Sequence, residues 1–137
     1  ESNLLVRTAS DSDLTTWSAE VNLGIDKPAG KDSNNTPHSR ASIAAADGRV
    51  VIVSNKIADI ARLDVNGTST SNLANPTYSG ANIRDITTDG HTWMIVTMGG
   101  DIYESTDRGA TFTQTVDDIR GNGRDLQTVV ASKHLPM

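Results

Sequence analysis

Residues 84–116 read "RDITTDGHTWMIVTMGGDIYESTDRGATFTQTV". Four short runs rich in Val, Ile, Thr and aromatic residues occupy 85–89, 92–98, 101–106 and 111–116, a composition suited to half-buried strands. Asp89-Gly90 and Gly99-Gly100 separate the first three runs, and such dipeptides supply the positive φ that tight hairpins need. The spacing predicts one four-stranded antiparallel sheet over 84–116.

The pattern repeats. "RASIAAADGRVVIVSNKIADIARLDVNGTSTSNL", starting at Arg40, also opens on Arg, passes through Asp-Gly into a dense apolar run, and reaches a second glycine. Gly67 lies 20 residues after Asp47, and Gly109 lies 20 after Asp89. A third opening, "RDLQTVV", starts at Arg124, so the arginines at 40, 84 and 124 are spaced by 44 and 40 residues. A period of about 40–45 residues, with strand signals in each unit, is that of a four-stranded propeller blade. No segment keeps helical periodicity beyond a turn or two; the best helical candidate, "SIAAADG" over 42–48, stops at Asp-Gly.

The last turn of the first-quoted unit is the most specific feature. Ser105, Asp107, Gly109, Thr111 and Phe112 form a Ser-x-Asp-x-Gly-x-Thr-Phe frame between two strand candidates. It resembles the Asp-box, the bacterial-neuraminidase repeat of sialidases, sortilin-type receptors and several phage virion proteins. The resemblance implies a hairpin turn between the third and fourth strands of a blade. There the Ser and Asp side chains accept backbone N–H bonds, Gly takes the left-handed corner and the aromatic packs beneath. Near the start, Ser10, Ser12, Thr16 and Trp17 stand in the same frame, with Asp13-Leu14 resembling a Ser-Asp-Leu-x-x-Trp variant of some glycosidase propellers. The middle unit keeps only Gly67, with Val65 in the Asp position.

The expected architecture is all-β, built of β-propeller blades. Residues 3–23 supply the end of one blade, 40–73 and 84–116 two full blades, and 124–135 the start of the next. Closed propellers have typically four to eight blades. The expectation is therefore a segment of a larger propeller, or copies that close a ring together.

Composition narrows the function. A net charge of −5 and no Lys/Arg cluster argue against a duplex nucleic-acid binder. No apolar run approaches the roughly 20 residues that span a bilayer. Without cysteine there is no disulfide or thiolate site, and the isolated His38, His91 and His134 lack metal-ligand spacing. No metal or cofactor is expected.

Arg40, Arg84 and Arg124 are the candidate binding residues, each at the entry of a unit's first strand, where a guanidinium forks onto carboxylate or phosphate. Asp85 and Asp125 follow two of them, so structural ion pairs are the alternative. Sialidases use an arginine triad, but "HSRASI" lacks their aromatic-Arg-Ile-Pro signature, and no Tyr–Glu pair falls on a matching motif. The connection Leu23–Ser39, rich in Gly, Pro, Asn and Ser, is expected as a loop on the ligand-type face. The expected function is a non-catalytic module for assembly or attachment, as in a phage virion or tail or an extracellular setting. Its partners would be other proteins or copies of itself. The alternative is part of a carbohydrate-binding or glycoside-hydrolysing propeller.

Overall fold

The structure is a computed structural model describing residues 3–10, 12–26, 41–54, 60–66, 69–79, 83–119, 121, 126 and 128–131. Twelve strands are assigned among them and no helix. The second unit gives β5 (Ala41–Ala46), β6 (Arg49–Ser54), β7 (Ile60–Asn66) and β8 (Ser69–Asn72), antiparallel in the order β5-β6-β7-β8. The third gives β9 (Ile83–Thr88), β10 (Trp93–Thr97), β11 (Ile102–Ser105) and β12 (Thr113–Val116), in the order β12-β11-β10-β9. These are the four-stranded antiparallel sheets read from the repeat. Asp47 and Gly48, with φ of 48° and 74°, make the tight turn between β5 and β6, a two-residue hairpin with both corners left-handed.

The alanine run is a strand. Ala41–Ala46 pairs residue for residue with β6, and its Ala44 is buried against Val51 and Val53. Alanine favours helix in isolation, but the unbroken ladder to β6 and the burial of Ala44 between β6 and the third sheet hold these residues as a strand.

Before these sheets, β1 (Asn3–Val6) pairs with β4 (Val21–Asp26), and β2 (Ala9–Ser10) with β3 (Asp13–Trp17) as a short hairpin between them. The expected loop from Leu23 therefore begins as strand: Leu23 and Ile25 are buried, and Gly24, at φ +67°, is accommodated within the strand by Asn22 Oδ1 accepting its N–H at 2.9 Å. The rest of that loop, residues 27–39, lies outside the described residues.

The sheets stack face to face. Leu23 and Ile25 of the first sheet meet Ile52, Ala61 and Leu63 of the second in one apolar cluster. The opposite face of the second sheet, with Ala44, Val51, Val53 and Ile60, meets Ile83, Ile86, Trp93, Ile95, Tyr103 and Phe112 of the third in another. This explains why "RVVIVS" is apolar at consecutive positions: alternate side chains of β6 enter opposite clusters, so both faces are buried. The innermost strands β5 and β9 lie beside each other.

Candidate functional site

The Ser105–Phe112 turn joins β11 to β12, the third and fourth strands of their sheet. Ser105 Oγ donates to Asp107 Oδ1 at 2.7 Å and accepts the Gly109 N–H at 2.9 Å. The same Asp107 oxygen accepts the N–H groups of Ala110 and Thr111, both at 2.9 Å. Two short side chains thus satisfy three backbone donors that no strand could reach. Burial alone would raise the Asp107 pKa, but these bonds from Ser105, Thr111 and Ala110 outweigh it and hold the carboxyl below its ordinary value. Arg108 (φ 59°) and Gly109 (φ 76°) make the left-handed corner, and Phe112 is 4% exposed beneath it.

The turn also grips the preceding sheet. A Cβ on Gly109 would sit 2.7 Å from Val51 Cγ2, so both φ and contact exclude a side chain there. Arg108 Nη2 donates to the Asp47 carbonyl at 2.9 Å, bringing the turn after the second sheet's first strand to the turn after the third sheet's third strand. In return, Arg49 Nη1 and Arg62 Nη2 point at the Arg108 carbonyl, at 3.4 and 3.5 Å. Arg49 is buried and its charge is met by Asp64, with Nε and Nη2 each 2.9 Å from Oδ1. Burial and the neighbouring Arg49 lower the pKa of Arg62. The interblade segment joins in: Thr77 exchanges bonds with Ala110 O and Phe112 N at 3.0 and 2.9 Å, and Tyr78 packs edge-on against Tyr103.

Of the three arginines singled out as binding residues, Arg40 and Arg124 lie outside the described residues. Arg84 is 7% exposed in β9, buried rather than presented to solvent. Its neighbour Asp85 does visible work. Its Oδ2 accepts the Thr128 hydroxyl at 2.6 Å and the Val129 N–H at 3.0 Å, while Oδ1 accepts the Ile86 N–H at 2.9 Å. Ala131 N–H bonds Thr87 Oγ1 at 3.1 Å, so residues 128–131 run along β9, held by side chains. Burial pushes the Asp85 pKa up, and the bonds from Thr128, Val129, Ser42 and Ile86 bring it below the ordinary value. Neither this clasp nor the Arg49/Arg62 pair is legible in a local motif, since each joins residues more than 40 positions apart.

The turn near the start differs. Asp13 Oδ1 accepts the Thr15 N–H and hydroxyl at 2.9 and 2.6 Å, and these bonds, with those of Thr16, lower its pKa to about 2. Trp17, expected to be buried by its place in the frame, is 56% exposed, and Leu14 is 67% exposed. Among the described residues, no strand but β2 pairs with β3, and no sheet is packed on that hairpin to cover the indole.

Two open grooves lie between successive hairpin turns. One of about 500 Å³ is lined by Ala9, Ser10, Ala45, Gly48 and Val50, among others; one of about 300 Å³ by Ala46, Asp47, Thr88, Asp89 and Gly90. Asp89 Oδ1 is spent on the N–H groups of His91 and Thr92, which lower its pKa. Among the described residues no group of three or more His, Asp or Glu is placed to hold a metal ion. No protein-family model matches this chain, and no curated protein matches it.

Proposed function

We propose that this chain is a non-catalytic β-propeller module of the Asp-box type, serving structural assembly or attachment in a setting such as a phage virion or tail. The observation that carries the reading is how the acidic side chains are used. Asp13, Asp85, Asp89 and Asp107 all accept backbone N–H groups, closing turns or tying a neighbouring segment. Glycoside cleavage needs two carboxylates facing each other across roughly 5–10 Å of open site, and carboxylates already spent on the backbone are poor candidates. The grooves are open and mix Ala, Gly and Val with Ser10, Asp47, Arg49, Thr88 and Asp89, surfaces that suit contact with another protein more than burial of a small substrate. The test is to assay the purified chain against sialosides and bacterial and plant glucans while measuring its co-sedimentation with the assembly it comes from. Co-sedimentation without turnover is expected. Turnover would overturn the reading.

A second reading, a glycan-contacting module, is favoured by the exposed Trp17, whose ring could stack on a sugar face. Glycan-dependent quenching of indole fluorescence that disappears in Trp17→Phe would support it.

A further inference from the structure

The Asp-Gly turns of the second and third sheets spend their polar groups differently. Between β9 and β10, Asp89 Oδ1 accepts the N–H groups of His91 and Thr92 at 2.8 and 2.7 Å, and Thr88 Oγ1 accepts the Gly90 N–H at 3.1 Å. Between β5 and β6, Asp47 and Gly48 are exposed, and among the described residues no donor meets the Asp47 carboxylate and no acceptor takes the Gly48 N–H. What is held there is the backbone oxygens: the Asp47 carbonyl accepts from Arg108 Nη2 at 2.9 Å, and the Gly48 carbonyl accepts the Val65 N–H at 2.7 Å. Gly48 also has no side chain to keep its nitrogen away from the carboxyl carbon of the residue before it.

We propose that Asp47–Gly48 is a self-modification site at which the aspartate isomerises, while Asp89–Gly90 is protected by its own turn. The reaction needs only water. The Gly48 nitrogen bonds to the Asp47 carboxyl carbon Cγ, and its proton leaves with the carboxyl hydroxyl as water, giving a five-membered cyclic imide. Water then adds to one of the two imide carbonyls and breaks its bond to nitrogen. Opening at Cγ restores aspartate; opening at the main-chain carbonyl leaves isoaspartate, with the backbone routed through the side chain. Nothing is oxidised or reduced. Arg108 assists, because a guanidinium on the Asp47 carbonyl favours the negative charge that builds on that peptide as the Gly48 nitrogen gives up its proton. At the other turn the Gly90 nitrogen must first leave Thr88, and the Asp89 carboxylate, held ionised by the N–H groups of Thr92 and His91, is the poorer electrophile. The consequence reaches the clamp between the sheets. Isoaspartate lengthens the chain path in a two-residue hairpin, so the Asp47 and Gly48 carbonyls are drawn off Arg108 and Val65.

The test is to age the 137-residue chain at mildly acid pH in water enriched in oxygen-18, digest it with trypsin in ordinary water, and follow isoaspartate by isoaspartyl methyltransferase labelling and mass spectrometry. Cleavage after Arg40, Arg49, Arg84 and Arg108 leaves Asp47 as the only acidic residue of peptide 41–49 and puts Asp89 in peptide 85–108. In the folded chain, isoaspartate and solvent oxygen should accumulate in 41–49 about tenfold faster than in 85–108, the ratio that hydrogen bonds of ordinary strength at Asp89 and Gly90 imply. In urea, where the dipeptide alone decides, the two rates should converge. Asp47→Glu should remove the signal from 41–49, and Arg108→Gln should slow it by about threefold, as loss of one charged donor implies. In the aged fraction, amide exchange at Val65 should quicken while Ile95 keeps its protection. Equal rates in the folded chain, a faster rate in 85–108, no signal in 41–49, or an Arg108→Gln rate at or above the parent's would each overturn the proposal.

Discussion

Residues 105–112 and residues 10–17 begin on serine, end on an aromatic and pass through an aspartate, yet they behave differently. In the first, Gly109 lies against Val51 and Phe112 is 4% exposed. In the second, leucine holds the position of that glycine and Trp17 is 56% exposed. Both turns satisfy backbone donors with an aspartate, at Asp107 and Asp13. The difference is the neighbour. The first turn is clamped to another sheet by Arg108, Arg49 and Arg62, and the second stands on a two-stranded hairpin. A turn motif thus sets local hydrogen bonding, while burial of its aromatic is set by what packs against it.

Four substitutions put that contrast under load. The largest effect is expected at the aromatics. Phe112→Ala should cost about 3–5 kcal/mol, as for a buried phenylalanine, while Trp17→Ala should stay within about 0.5 kcal/mol, as at an exposed site; urea midpoints at constant slope measure both. Similar losses at the two positions would break the contrast. Next comes Gly109→Ala, which forces alanine into a left-handed corner and against Val51, for about 2–4 kcal/mol in total. Leu14→Ala at the matching position of the first turn should be nearly neutral.

Asp85→Ala is expected to be smaller, on the order of 1–2 kcal/mol for an acceptor lost from partly buried donors. It sharpens the account by location: hydrogen exchange should accelerate at Val129 and Ala131 while Ile95, at the centre of the third sheet, keeps its protection. Uniform acceleration would mean that the clasp supports the whole stack.

The smallest effect is with pH. Asp85, Asp89 and Asp107 all have folded pKa values depressed below the ordinary carboxylate value of about 3.9. Their contribution is therefore fully present above that value and is lost as the pH falls through the lower folded values. The melting temperature should be flat from neutral pH to about 5 and fall below about 4. Removing Asp107 should flatten the acid limb, and an unchanged limb would assign the acid sensitivity to other groups.

The third sheet was legible in the sequence because its signals are local. Asp89-Gly90, Gly99-Gly100 and the Ser105–Phe112 frame each close a hairpin, so strand existence, order and pairing follow from short-range spacing. Two things were hidden. β5, the first strand of a sheet expected from the repeat, carries no strand pattern of its own: it is an alanine run made a strand by its ladder to β6. The start of the Leu23 connection reads as loop because of Gly24 and Asp26, but Asn22 lets the glycine sit inside a paired strand. Of the candidate site, the Ser105–Phe112 turn lies in one short stretch, its side-chain bonds joining residues two to four positions apart. The residues that tie sheets together, Arg49, Arg62 and Asp85, were not legible, because their partners are remote in the chain and no spacing announces them. Arg84 stands out in the sequence by its repeated position, but position in a repeat does not reveal burial.

The central claim is that the aspartate of the Ser105–Phe112 turn acts as a structural acceptor that matters because its turn is clamped to a neighbouring sheet. Equilibrium urea unfolding of Asp107→Ala beside Asp13→Ala tests it most directly. Asp107→Ala should lose about 1–2 kcal/mol with co-sedimentation intact at temperatures where it remains folded, and Asp13→Ala should lose no more than about 0.5 kcal/mol. An Asp107→Ala protein as stable as the parent that no longer binds its partner or a glycan would contradict the account and make that carboxylate part of a binding site.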